Sequence, residues 1–145
     1  MSNSVILISI AIIGGVAVTL QAQFMGVIDQ GLGTLESVFI TYGGGARLGG
    51  VGMLVVRGGN LHAWQTLPWY VLLSGATGLL IVGGLSYVTP RLGLVATFTI
   101  FVAAQFVFGA AMDHFGLLGA TTRPINFSTL AGMATVLIGV WLIVR

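Results

Sequence analysis

Residues 92–112 read LGLVATFTIFVAAQFVFGAAM, a run without a single Asp, Glu, Lys or Arg. A helix needs about 20 mostly apolar residues to cross the hydrocarbon core of a bilayer, so this run alone is long enough to span. Working outward, residues 1–28, 58–90 and 124–144 are also free of those four residue types. A fifth stretch, residues 36–56, is interrupted by Arg47 near its middle and begins with Glu36. Composition agrees: the 145 residues are 57% hydrophobic and 6% charged, against roughly 25% charged in a soluble domain. The fold expected is an all-α bundle of five transmembrane helices in a lipid bilayer, with no room for a water-soluble catalytic domain.

The expected spans are residues 4–25, 35–56, 68–88, 93–112 and 127–144, in one transmembrane domain over residues 1–145. Gly31 and Gly33 close the first loop, and Arg57-Gly58-Gly59-Asn60 ends helix 2 with turn residues. Trp64 and Trp69 flank Pro68 at the start of helix 3, where indole rings suit a membrane interface. Thr89-Pro90-Arg91-Leu92 reads as a tight connection, because proline cannot donate a backbone hydrogen bond and Arg91 seeks water. Helices 3 and 4 are then antiparallel neighbours. Residues 113–126 form the longest loop, with Asp113, His114, Arg123 and Pro124. The first apolar run lacks a basic n-region and a small-residue cleavage site, so it reads as a retained helix.

Several function classes fall away on the same residues. Without cysteine there are no disulfides, thiolate metal sites or cysteine nucleophiles. Five scattered arginines do not make a nucleic-acid surface. His62 and His114 stand apart from other ligand types and read as loop residues, so no metal or cofactor is expected. No spacing resembles a phosphate loop, a nucleophile elbow or a catalytic dyad, and the chain is not expected to be an enzyme.

Five spans put the termini on opposite sides, so the arginines can be counted on each face. Arg57 and Arg123 lie on the amino-terminal side, Arg91 and Arg145 on the other. The positive-inside rule is tied at two against two. Such a chain can insert both ways and pair as an antiparallel, inverted homodimer of ten helices, the symmetry alternating-access transporters commonly use. A single orientation set by a weaker cue or a partner is the other reading.

Helix 2 carries the most information about function. At 100° per residue, Glu36, Gly43, Arg47, Gly50 and Leu54 share one stripe. Glu36 and Arg47 are about 16 Å apart along the axis, too far to pair in one chain. Across an antiparallel helix 2 pair, Glu36 of one protomer approaches Arg47 of the other. Intramembrane charges point to a substrate or proton-coupling role; the competing reading is a dimer-locking ion pair, or an Arg47 that snorkels. Gly43, Gly44, Gly45, Gly49 and Gly50 allow close backbone approach or a hinge, with Gly45 and Gly49 at small-xxx-small spacing.

Helix 4 sets Thr97, Phe101, Gln105, Gly109 and Asp113 at four-residue steps, and helix 1 does something similar with Gly14, Ala17, Gln21 and Met25 at steps of three, four and four. An amide in lipid must hydrogen-bond to another helix or to a ligand, which makes Gln21 and Gln105 candidates for either. Tyr42 and Tyr87 suit a cavity wall or simple packing.

Three stretches together resemble a known family: Leu20-Gln21-Ala22, Pro90-Arg91-Leu92-Gly93, and Gln105 followed by Asp113-His114-Phe115-Gly116-Leu117-Leu118-Gly119 with Arg123-Pro124. They are similar to the five-helix, YdcZ-like branch of the drug/metabolite transporter superfamily. The resemblance implies a bundle related to half of a ten-helix metabolite exporter, its first four helices like the small multidrug resistance proteins. It implies a multi-pass protein of a bacterial-type inner membrane. Met25 stands where a polar residue is expected one turn after Gln21, and Glu36 and Arg47 are not carried over from the family.

The reading that follows is a secondary transporter for a small metabolite or drug-like solute, with a midplane cavity walled by helices 1 to 4 of two inverted protomers and helix 5 outside. Glu36, Arg47, Gln21, Tyr42 and Gln105 are its substrate and coupling residues; Arg91, Asp113 and His114 form a loop motif. The alternative is a non-transporting assembly module whose charges bind a larger membrane partner.

Overall fold

The computed structural model describes residues 2–57 and 59–145, and the side chains of these apart from Ser2, Asn3 and His62. Gly58 in the expected turn and the His62 side chain thus lie outside the described residues. The described residues form five long helices and no strand: α1 Ser2–Leu32, α2 Thr34–Val55, α3 Ser74–Leu92, α4 Leu94–Phe115 and α5 Phe127–Val144. Five segments are long and apolar enough to cross a membrane: Ser4–Leu32, Thr34–Val55, Trp69–Leu92, Leu94–Phe115 and Phe127–Val144.

What is buried fits a chain dissolved in lipid. Leu, Ile, Val and Phe side chains are exposed along every long helix, while Ser37, Ser86, Thr89 and Thr97 are as buried as Ala22, Met25, Leu85 and Ala103. Lipid tails are as apolar as leucine, so no solvent drives leucine inward; small and hydroxyl residues, which let backbones approach and bond, take the contacts instead. Thr19, Thr97, Thr99 and Thr135 return their hydroxyls to the carbonyl four residues back, which satisfies them without a partner helix.

The helix ends differ from the sequence expectation in a consistent way: helices continue to the next glycine that needs a positive φ. α1 does not stop near Met25 but runs to Leu32, and Gly33 alone separates it from α2. Likewise Pro90 and Arg91 are not a loop but lie in the last turns of α3, and Gly93 alone separates α3 from α4. Pro90 lies inside the helix, so its missing N–H removes one intrahelical bond. Gly33 has φ 113° and ψ 165°, and Gly93 has φ 81° and ψ 160°, a backbone region essentially confined to glycine. Gly33→Ala and Gly93→Ala are each expected to destabilise the protein by about 1–3 kcal/mol, as read by thermal unfolding in detergent.

Two further corrections concern the start of helix 3 and the end of helix 4. The chain before α3 forms two 3-10 turns, Leu61–Thr66 and Trp69–Leu73, with extended Pro68 between them, so the α-helix starts at Ser74 rather than residue 68. Asp113 and His114 are not in a loop but in the last turn of α4, which ends only where Gly116 turns left-handed at φ 62°.

The chain divides into two compact units, Met1–Arg91 and Leu92–Arg145. In the first, α1 packs against α2 and reaches α3 by side-chain contacts. In the second, α4 packs against α5, the connection between them containing a 3-10 turn at Leu117–Gly119.

Candidate functional site

In the first unit, α1 meets α2 and α3 around one carbonyl. Ser37 Oγ donates to Met25 O at 3.0 Å and Ser86 Oγ donates to the same oxygen at 3.4 Å. Gly26, one residue on, has no side chain, and an added Cβ would lie 3.4 Å from Pro90 Cδ and 3.6 Å from Thr89 Cγ2. The proline ring therefore lies close against the α1 backbone. Thr89 Oγ1 is buried with no hydrogen-bond partner among the described residues.

One turn further along α1 stands Asp29, which the sequence reading did not single out. The Arg91 guanidinium donates to Asp29 Oδ2 at 3.0 Å, and Thr34 Oγ1 donates to Asp29 Oδ1. The Asp29 side chain is 4% exposed and that of Arg91 48%. Arg91 also sits over the Tyr87 ring, 3.6 Å from its centroid. Three helix ends are thus tied at one face: the end of α1 by Asp29, the start of α2 by Thr34 and the end of α3 by Arg91. A charged hydrogen bond buried on one side is strong and directional, so this cluster fixes the first unit beside its connecting glycine.

The α2 stripe is arranged otherwise. Glu36 occupies the first turn of α2 and folds back over Gly33, where an added Cβ would meet its Oε2 at 2.7 Å. A carboxylate there complements the helix dipole. The Tyr42 hydroxyl rests against Gly78, where no Cβ would fit, and Val38 packs near Gly83, so α2 and α3 run antiparallel in contact. The Tyr42 side chain thus lies against α3 of its own chain while remaining partly exposed. Beyond it, α2 continues unbroken through Gly43, Gly44 and Gly45. An added Cβ at any of these, or at Gly49 or Gly50, would meet nothing within 4 Å. Arg47 is exposed on this bare stretch, and the ion pair of Arg91 with Asp29 is the one present among the described residues. Gln21 is exposed on α1.

The second unit holds a cavity of about 640 Å³ between α4 and α5. From α4 it is lined by Gln105, Phe106, Gly109, Ala110 and Asp113; from the connection and α5 by Arg123, Asn126, Thr129 and Met133 among others. The connection is held open by specific bonds rather than collapsed into the gap. Arg123 N donates to Asp113 O at 2.8 Å, and Ile125 N donates to His114 Nδ1 at 3.2 Å. Asn126 Oδ1 caps α5 by accepting from Thr129 N at 2.8 Å and Thr129 Oγ1 at 2.9 Å. His114, edge-on to Phe115, is therefore a residue that shapes the loop.

Of the sequence-derived candidates, this cavity brings together Gln105 and Asp113, with His114 bracing its rim. It adds Arg123, Asn126 and Thr129, and it has α5 as a wall. Glu36, Arg47, Gln21 and Tyr42 are not among its lining residues. The signal for Asp29 was present in the chain: it and Arg91 close the first and third spans, and successive odd-numbered spans end on the same face.

No curated protein and no solved structure matches the chain. A sequence profile described as "Putative inner membrane exporter, YdcZ" matches residues 6–142, from the start of α1 almost to the end of α5. Five spanning helices and a match over nearly the full length lead to one conclusion: the chain belongs to the YdcZ family of the drug/metabolite transporters, and is a multi-pass membrane protein.

Proposed function

We propose that the protein is a secondary transporter that moves a small metabolite or drug-like solute by alternating access, working as an antiparallel homodimer. The observation that carries this reading is the α2 face. Arg47, Gly44, Gly45, Gly49 and Gly50 lie exposed on a spanning helix, and an added Cβ at any of these glycines would meet nothing of the chain within 4 Å. A guanidinium facing hydrocarbon costs at least about 2.5 kcal/mol, so it needs a partner, a polar cavity or an escape route to the interface. A second copy inserted the other way supplies Glu36, itself exposed, and the bare glycine backbones allow the two α2 helices close approach. Membership in a family described as an exporter supports transport over catalysis.

In this arrangement Arg47 attracts an anionic or carboxylate-bearing solute, and Glu36 binds and releases a proton or competes for the cation. Gln21, exposed on α1, orients the cargo. In liposomes loaded with a panel of labelled metabolites, Arg47→Ala is expected to lower uptake about tenfold or more, and Glu36→Gln to remove its dependence on a proton gradient. Parental rates for every solute in both variants, with folding intact, would defeat the proposal. A stoichiometric second protein that co-purifies in mild detergent would favour an assembly module instead.

A further inference from the structure

The α4–α5 cavity differs in character from the α2 stripe. Its mouth carries one acid and one base, Asp113 in the last turn of α4 and Arg123 in the connection. Their backbones are joined by the 2.8 Å bond from Arg123 N to Asp113 O, yet among the described residues the two side chains form no ion pair. Both side chains are exposed, and an acid and a base at one mouth, neither paired with the other, are complementary to a ligand that carries both signs. Below them the lining turns apolar, with Phe106, Met133 and Val136. The Gln105 amide lies about 12 Å deeper along α4 by helical rise, and no hydrogen bond engages it among the described residues. About 640 Å³ is within the range that holds a drug-sized molecule.

We propose that this cavity binds a soluble amphipathic zwitterion. The ligand's ammonium lies against the Asp113 carboxylate, its carboxylate or other anion against the Arg123 guanidinium, and its apolar body against Phe106, Met133 and Val136. Gln105 provides one directional hydrogen bond at the deep end. As a binding site the cavity stands on this geometry alone; its role as a cargo site rests on the transport reading above.

The test uses the full chain in nanodiscs of phosphatidylglycerol, a lipid without an ammonium group. Binding is read by calorimetry with the dipeptide leucyl-phenylalanine, its N-acetyl form, which keeps only the anion, and its amide, which keeps only the cation. The zwitterion is expected to bind at least about tenfold more tightly than either capped form. Asp113→Asn should weaken the zwitterion and the amide but spare the N-acetyl form; Arg123→Gln should weaken the zwitterion and the N-acetyl form but spare the amide. Gly132→Leu, at a position where an added Cβ meets nothing within 4 Å, should abolish binding of all three by filling the space while the melting temperature holds. Equal binding of the three probes, or charge variants that change nothing, would overturn the proposal. Loss of dipeptide binding in phosphatidylethanolamine discs would also overturn it, by assigning the cavity to a lipid headgroup. A protein that binds the dipeptide by this pattern but transports nothing would sink the transport reading and leave the site standing.

Discussion

Arg91→Ala is expected to destabilise the protein by about 3 kcal/mol, at the lower end of the cost of breaking a buried ion pair. The asymmetry of the pair sets the size. Asp29 is 4% exposed, so removing Arg91 strands a carboxylate with the Thr34 hydroxyl as its remaining side-chain donor. Arg91 is 48% exposed and keeps the Tyr87 ring and carbonyl when Asp29 is removed, so Asp29→Asn is expected to cost only about 1 kcal/mol. The double variant Asp29→Asn/Arg91→Gln buries no charge and should recover most of the loss. Unfolding in mixed micelles of increasing SDS fraction reads all three; equal costs for the two single variants would contradict the geometry.

Gly26→Leu is expected to have an effect as large, by another route. The Cβ alone would already touch Pro90 Cδ at 3.4 Å and Thr89 Cγ2 at 3.6 Å, and the rest of a leucine side chain has nowhere to go but between α1 and α3. Overpacking a tight contact costs about 1–3 kcal/mol, more where the neighbour is a rigid proline ring. The wedge also acts on the bonds from Ser86 to Met25 and from Arg91 to Asp29, one residue before it and three after. Gly26→Ala, whose methyl makes only ordinary contact, should be tolerated at a small fraction of that cost. Expression level and detergent melting temperature of the two variants separate a close backbone approach from mere glycine flexibility, which both substitutions would remove alike.

These effects bear on what was legible in the chain. Five spans could be read because crossing a bilayer is a requirement on length, and residues 92–112 meet it without a charge. Helix ends could not be placed by polarity, since Asp29 and Arg91 are stop signals only if unpaired; they neutralise each other, and α1 and α3 run on to Gly33 and Gly93. A pair 62 residues apart is visible only once two helix ends are known to share a face. In the second unit, the four-residue steps from Gln105 to Asp113 already marked one wall of the cavity. The opposite wall depended on a connection whose path is set by His114, Asn126 and a glycine turn, none of which has a periodic signature. The α2 stripe is a different case: its composition was plain, and its meaning lies in what covers it.

The most direct test of the inverted-dimer transporter uses the absence of cysteine, which makes single-cysteine labelling free of background. A cysteine appended after Arg145 is exposed to a membrane-impermeant maleimide in intact cells, then again after permeabilisation. About half of the copies are expected to react from outside and the remainder only after permeabilisation, as equal insertion in both directions requires. Labelling from one face alone would mean that all copies point the same way, and the pairing of Glu36 with Arg47 across an antiparallel α2 interface would be ruled out.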